Sequence, residues 1–203
     1  MEIQSWFDLF IEQIKDTSAL QWVAVSFGVT EVLLAKKNNV LLYPAGIISS
    51  ALSILLLVEV LLYAEAALST YYVIMSIYGW AHWLRRKNEP PVKITYSTKQ
   101  DWAITSTIAL GGWGVLYFIL KNFTDSDVPL LDAFISSTAW AGMWLLARRK
   151  IENWILLNIS NLFAVPLLFY KNLPLFALLT AFLFVVACFG YFEWREKINI
   201  EAN

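Results

Sequence analysis

The chain is short of charge. Asp, Glu, Lys and Arg make up 15% of its 203 residues, against about 25% in an ordinary soluble domain. Its one cysteine, Cys188, leaves no internal disulfide to form and, inside an apolar run, is expected to pack as a small hydrophobe. One histidine and no cysteine cluster leave no structural metal site to expect. There is no Gly-x-Ser-x-Gly, no glycine-rich phosphate loop and no His-Glu-x-x-His, so hydrolase, kinase, dinucleotide and zinc-protease chemistries lack their motifs. With no nucleophile–base arrangement, the reading is not an enzyme, with no cofactor, no metal and no nucleic-acid partner. The opening residues, Met1 to Asp16, have no basic flank before an apolar stretch, which argues against a cleavable signal peptide.

What the chain has instead is apolar length. Hydrophobic residues reach 59% and mean hydropathy is +0.58, and long runs such as Val40 to Tyr63 and Pro174 to Tyr191 approach the roughly 20 residues a helix needs to cross the hydrocarbon core. Aromatics are 16% of the chain, with ten Trp; Trp and Tyr favour bilayer interfaces and also stack flat ligands. The expectation is an all-α integral membrane protein with seven transmembrane helices, at 18–35, 40–62, 66–84, 101–121, 130–147, 151–170 and 174–194. Before them, Ile3, Trp6, Phe7, Phe10, Ile11 and Ile14 recur at helical spacing and predict a short amphipathic helix on the membrane surface. The longest connection, Arg85 to Gln100, contains Pro90 and Pro91 and reads as a linker between halves.

Basic residues orient the spans. Lys36, Lys37, Arg85 to Lys87, Lys93, Lys99, Arg148 to Lys150, Arg195 and Lys197 fall on one side, and Lys15, Lys121 and Lys171 on the other; these are 12 and 3 of the 15 Lys and Arg. The richer side is cytoplasmic by the positive-inside rule. Seven spans then place the N-terminus outside and the C-terminus in the cytoplasm.

The halves also resemble each other. Leu33-Leu34-Ala35-Lys36-Lys37 recurs as Leu145-Leu146-Ala147-Arg148-Arg149, and Tyr78-Gly79-Trp80-Ala81-His82-Trp83 as Phe189-Gly190-Tyr191-Phe192-Glu193-Trp194, at offsets of 112 and 111 residues. The expected organisation is an N-terminal amphipathic segment (1–17), a first three-helix repeat (18–84), a linker and connector helix (85–127), and a second three-helix repeat with a cytoplasmic tail (128–203). This is a parallel 3+1+3 duplication, a plan in which the substrate site lies near the midplane between repeats.

Polar groups inside a bilayer are costly and mark candidate sites. In the sixth span Trp154, Asn158 and Asn161 are spaced i, i+4, i+7 and share a face; Asn and Ser there also serve as glue between membrane helices. In the third span Tyr72, Ser76, Trp80 and Trp83 share a face, and Trp83, beside Arg85 and Arg86, also fits an interfacial belt. The second span offers Ser49, Ser50 and Ser53, and its Pro44 is expected to weaken the helical ladder and kink it. The fifth offers Ser136, Ser137, Thr138 and Trp140. Glu31 and Glu59 lie in spans but are read as reaching water near span ends. Asp132 opens the fifth span, where a negative group suits a helix N-terminus.

Tyr43-Pro44-Ala45-Gly46-Ile47-Ile48-Ser49-Ser50, Tyr71-Tyr72, Ile77-Tyr78-Gly79-Trp80-Ala81-His82-Trp83, Leu131-Asp132-Ala133, Ala147-Arg148-Arg149-Lys150-Ile151-Glu152-Asn153-Trp154 and Gly190-Tyr191-Phe192-Glu193-Trp194 together resemble the PnuC family of vitamin transporters, over nearly the whole chain after residue 18. The resemblance implies a bacterial inner-membrane, SWEET-like protein with seven core helices, a homotrimer, carrying a small-molecule vitamin by facilitated diffusion with trapping by cytoplasmic phosphorylation. It implies nicotinamide riboside as substrate, or thiamine in a second branch. Three positions depart from the riboside pattern: Leu157 where a second Trp is usual, Asn161 where Asp is frequent, and Met143 where Gln is frequent. Both vitamins are flat, aromatic and cationic, so stacking and cation–π contact would serve either. The expected substrate-binding residues are Ser49, Ser50, Tyr72, Ser76, Trp80, Trp83, Trp140, Trp154, Asn158 and Asn161, with a non-transporting membrane scaffold or receptor as the third reading.

Overall fold

The computed structural model describes residues 3–59, 63–84 and 93–202. Inside a bilayer a chain must satisfy its backbone polar groups internally, and the long apolar runs are accordingly helices. A short α1 (Ile3–Asp16) precedes α2 (Ala19–Lys36), α3 (Leu42–Glu59) and α4 (Tyr63–Leu84). Next comes a two-part helix, α5 (Lys99–Ser106) and α6 (Gly112–Phe123), joined through a π turn at Thr107–Gly111. The chain ends in α7 (Pro129–Ala147), α8 (Asn153–Tyr170) and α9 (Pro174–Ala202). Among the described residues, six helical stretches are long and apolar enough to cross a membrane: α2, α3, the continuous Lys99–Phe123, α7, α8 and α9 as far as Ile200. The 22-residue α4 occupies the place of the third expected span; its length suffices, but Tyr71, Tyr72, Ser76 and His82 make it less apolar. The chain is therefore an all-α, multi-pass membrane protein. The expectations at 60–62 and 85–92, including Pro90 and Pro91, lie outside the described residues.

Local chemistry sets the helix ends. Ser18 caps α2 in a reciprocal box with Gln21, and Thr98 caps α5 likewise with Asp101. Pro44 does not kink α3, contrary to expectation. It is the third residue of the helix, in the first turn, where its missing N–H has no helical partner to lose. The last helix runs on to Ala202, eight residues past the expected end of the seventh span.

Helices α2, α3 and α4 pack in sequence, as do α7, α8 and α9; α2 against α9 and α4 against α7 join the two groups. Contacts recur 111 residues apart. The α2–α3 and α7–α8 turns each pass through a left-handed residue, Asn38 at φ 58° and Arg149 at φ 55°. Each is closed by the same backbone bond, Asn39 N–H to Leu34 O and Lys150 N–H to Leu145 O, both 2.9 Å. Ser49 Oγ donates to Ala24 O at 2.8 Å and Ser160 Oγ to Ile135 O at 2.9 Å. Tyr43 meets Trp83 edge-on at 5.0 Å, and Trp154 meets Trp194 edge-on at 5.6 Å. The register is 111 at all these points, so the basic-motif match at 112 is one residue out. The structural partner of Lys36 is Ala147, and similar composition at two helix ends produced the slip.

At the basic end the two groups hold each other. Trp83 Nε1 donates to Ala147 O at 3.2 Å, and Trp194 Nε1 donates to Ala35 O at 3.0 Å and Lys36 O at 3.1 Å. The last carbonyls of a helix have no partner within it; each indole supplies one to the opposite group. Between them the Arg149 guanidinium donates from Nε (3.0 Å) and Nη2 (2.7 Å) to Asn38 Oδ1 and sits 3.8 Å from the Trp83 ring centre. Trp83 is thus a bridging residue rather than a belt residue. The connector is strapped to the same end. Thr95 exchanges backbone bonds with Arg149 and Ile151, Glu152 accepts from Ser97 N (2.9 Å) and Oγ (2.7 Å), and Asp101 pairs with Lys150 at 3.1 Å. At the opposite end Asp132 pairs with Lys171 at 2.7 Å, and Gln13 of α1 bonds Asn172 O and Leu175 N–H.

Trp194→Phe keeps the ring but removes the indole donor from the half-buried Lys36 carbonyl and from the buried Ala35 carbonyl, which keeps its bond from Asn38 N–H. It is expected to cost about 1–3 kcal/mol, read as a lower thermal midpoint of the purified protein. Trp83→Phe, at a half-buried site, is expected to cost less.

Candidate functional site

A cavity of about 380 Å³ lies between α2, α3, α4, α7, α8 and α9. Small-molecule sites typically span about 300–1,000 Å³. Its lining falls into pairs 111 residues apart: Gly28 with Ala139, Val32 with Met143, Ala35 with Leu146, Ser50 with Asn161, and Tyr72 with Leu183. The cavity therefore sits where the two helix groups face each other. Its chemistry is lopsided. The first group contributes Glu31, Ser49, Ser50, Ser53 and Tyr72, and the second contributes Met143, Leu146, Trp154, Leu157 and Asn161.

Close packing shapes this space. A Cβ at Gly79 would overlap the Tyr43 ring, and one at Gly190 would fall 2.8 Å from Trp154 Cε2. In each group, then, a glycine lets α4 or α9 approach an aromatic near the start of α3 or α8. A second pair is exchanged between the groups. A Cβ at Gly46 of α3 would overlap the Glu31 carboxylate of α2, whereas a Cβ at Gly142 of α7 would fall 2.9 Å from Leu157 Cδ2 of α8. The two arrangements are alike in volume, but one carries a carboxylate and the other an isobutyl group.

Of the expected site residues, the structure brings Ser49, Ser50, Tyr72, Trp154 and Asn161 together on the cavity wall. The Ser49 hydroxyl is committed to Ala24 O and that of Ser53 to Ser49 O. Ser50 and Asn161 have no hydrogen-bond partner among the described residues. The other five expected residues lie elsewhere. Ser76 is fully buried away from the lining, Trp80 is more than a third exposed, and Trp83 bridges the groups at the basic end. Trp140 stacks on Tyr71 at 4.6 Å, and Tyr71 Oη donates to its carbonyl. Asn158 donates from Nδ2 to Cys188 Sγ at 3.3 Å and faces a separate groove between α8 and α9. Residues 154, 158 and 161 share a helical face, but α9 crosses that face and divides it.

Glu31 was expected at a wetted span end. It lines the cavity instead, because Gly46 opposite leaves room for its carboxylate to turn inward. The signal for it was present: a carboxylate within an apolar span marks a functional site by default. Glu59, at the end of α3, is exposed as expected. A second cavity of about 370 Å³ shares Ala24, Val25, Ser53 and Leu179 with the first and continues to Thr17, Gln21 and Leu175. The second cavity therefore adjoins the first on the side toward the α1 end. The opposite end carries the two indole contacts.

The sequence profile of nicotinamide mononucleotide transporters matches residues 18–196. The chain belongs to this family. Similar curated proteins include the nicotinamide riboside transporters PnuC of Escherichia coli (strain K12) and Shigella flexneri. Each is 22% identical over 205 aligned residues, covering 88% of this chain and 86% of the relative. Among solved structures, the crystal structure of the vitamin B3 transporter PnuC aligns with a TM-score of 0.72 and 22% identity, covering 96% of this chain and 88% of that one. The family's transporter fold is thus the fold of this chain, and the cavity lies in its interior.

Gly190→Ala pushes a methyl into the Trp154 ring that forms one wall. It is expected to destabilise the protein by about 1–3 kcal/mol, read as a lower thermal midpoint, and to change the accessible cavity, read as altered Trp fluorescence.

Proposed function

We propose that the protein is a membrane transporter that carries nicotinamide riboside into the cell by facilitated diffusion. Family membership and the names of its relatives support a nicotinamide-containing substrate. The observation that carries the choice between riboside and mononucleotide is the cavity wall, which among the described residues holds no Lys or Arg. A phosphomonoester brings about −1.5 to −2 charges at neutral pH and calls for cationic partners, which are absent from this wall among the described residues. The riboside lacks that phosphate. In this reading Tyr72 and Trp154 flank the ring, and Asn161 and Ser50 bond the ribose or carboxamide. Phosphorylation inside the cell traps the product, since the added charge no longer suits the cavity.

The transport cycle follows from the same geometry. The helix groups α2–α4 and α7–α9, with α5–α6 as connector, are read as a parallel 3+1+3, SWEET-like repeat, supported by the 111-residue recurrence. The adjoining second cavity, on the α1 side, supports access from that side, taken as the outside. The clustering of Lys36, Arg149, Lys150 and Lys197 at the other end supports a cytoplasmic C-terminus. Release inward requires the indole–carbonyl contacts and the Arg149–Asn38 bond to open. Helix α1 lies on the outer surface, and the assembly is a homotrimer in the inner membrane.

Proteoliposomes loaded with no kinase are expected to equilibrate labelled nicotinamide riboside without exceeding the outside concentration, even under a proton gradient. Asn161→Leu is expected to weaken binding by about 5–30-fold, the loss of one or two hydrogen bonds. Accumulation above equilibrium would refute facilitated diffusion, and absence of saturable binding would refute the substrate. In a Cys188→Ser background, a cysteine at Asp125 is expected to react with an impermeant maleimide on intact cells, and one at Glu196 only after permeabilisation. Thiamine is the second reading. Met143, Leu157 and Asn161, the three departures from the riboside pattern, all line the cavity. A competition titration with both vitamins decides between them.

A further inference from the structure

Glu31 stands out from everything else that lines the cavity. Among the described lining residues it is the one carboxyl group; the rest are apolar, aromatic, hydroxyl or amide groups. No hydrogen-bond donor or cation among the described residues meets its carboxylate. The acids at the two ends of the bundle are engaged differently: Asp101 with Lys150, Asp132 with Lys171, and Glu152 with Ser97. Arg149, within electrostatic reach of Tyr43, has its guanidinium on Asn38 and over the Trp83 ring. The Tyr43 and Tyr72 phenols lie within the electrostatic reach of Glu31.

The site is also built to hold a carboxylate. Gly46 faces Glu31 so closely that any side chain there would occupy the carboxylate's position. At the matching place in the second helix group, Gly142 faces Leu157. One half of the cavity thus puts a carboxylate where the other half puts an alkyl group. A charge in a low-dielectric cavity is tolerated when a counter-charge or donors meet it. The protein supplies neither, and the cavity has room for a ligand that does.

We propose that Glu31 is the charge-selecting residue of the cavity, holding the cationic ring of the substrate and discriminating against neutral and anionic analogues. This rests on the transport reading above but names the residue and the property selected. It applies to any flat cationic heterocycle, nicotinamide riboside or thiamine alike. The cation lies between Tyr72 and Trp154 with its charge toward Glu31, so stacking and ion pairing act on the same ring.

The test measures affinities in nanodiscs for nicotinamide riboside and for its neutral dihydro form, in wild type, Glu31→Gln and Glu31→Asp. In wild type the cation is expected to bind more tightly than the neutral form. In Glu31→Gln the cation is expected to lose about 30-fold or more, the loss typical of truncating one partner of a buried charge pair. The neutral form should stay within about threefold, which also shows that the variant is folded. Glu31→Asp should keep the preference for the cation. An unchanged cation-to-neutral ratio in Glu31→Gln overturns the proposal while leaving nicotinamide riboside transport standing. If wild type binds no nicotinamide riboside but binds thiamine, the substrate reading fails, and the same ratio measured with thiamine and neutral deazathiamine decides the role of Glu31. A wild type that binds neither cation overturns both.

Discussion

Two indole N–H groups, each reaching from one helix group to the last carbonyls of a helix in the other, hold this architecture together. Trp83 on α4 serves Ala147 on α7, and Trp194 on α9 serves Ala35 and Lys36 on α2. In a bilayer the hydrophobic effect does not drive helices together, so association relies on packing and on hydrogen bonds. A donor aimed at carbonyls that their own helix leaves unpaired satisfies both groups at once. The edge-on rings of Tyr43 and Trp154 brace the two indoles, and Gly79 and Gly190 make room for those rings. The turn residues Asn38 and Arg149, equivalent by the 111-residue register, meet each other between them. The basic end is thereby closed, and the space above it remains a cavity.

That cavity has a symmetric frame and an asymmetric lining. Pairs such as Ser50 with Asn161 and Tyr72 with Leu183 occupy matching positions, yet the carboxyl and hydroxyl groups of the described lining lie on the first helix group, and the second adds the Asn161 amide. A flat ligand with one charged and one hydroxylated region is oriented by such a wall, because a reversed pose would set polar atoms against Met143, Leu146 and Leu157. The exchange of Glu31 and Gly46 for Gly142 and Leu157 is the sharpest instance. The frame keeps the packing volume while the chemistry on the two sides is free to differ.

Helix positions were the most legible feature. The expected spans fall on helices whose ends lie within a few residues of those expected, the C-terminal end of α9 excepted, because a bilayer allows few alternatives to a helix. The recurrence of Gly79 and Trp83 as Gly190 and Trp194 was legible for a related reason: both members of each pair do the same job. The stripe of Trp154, Asn158 and Asn161 was misread because helical periodicity gives a face but not the line along which a neighbour crosses it. Asn158 ends against Cys188 of α9, and Asn161 in the cavity. Glu31 was placed at a wetted end because distance along the sequence from Lys36 was the only gauge of depth. Its inward turn depends on Gly46, a residue on another helix.

By itself the sequence determined that the chain lives in a membrane, where its helices run and which end is basic, because each of these follows from composition or local periodicity. Only the tertiary structure decided which polar groups face one another: that Trp83 and Trp194 close one end, that five of ten expected residues share a wall, and that a lone carboxylate faces into the cavity. Those outcomes depend on how helices distant in sequence cross and on which glycines let them come close, and neither can be read along a single helix.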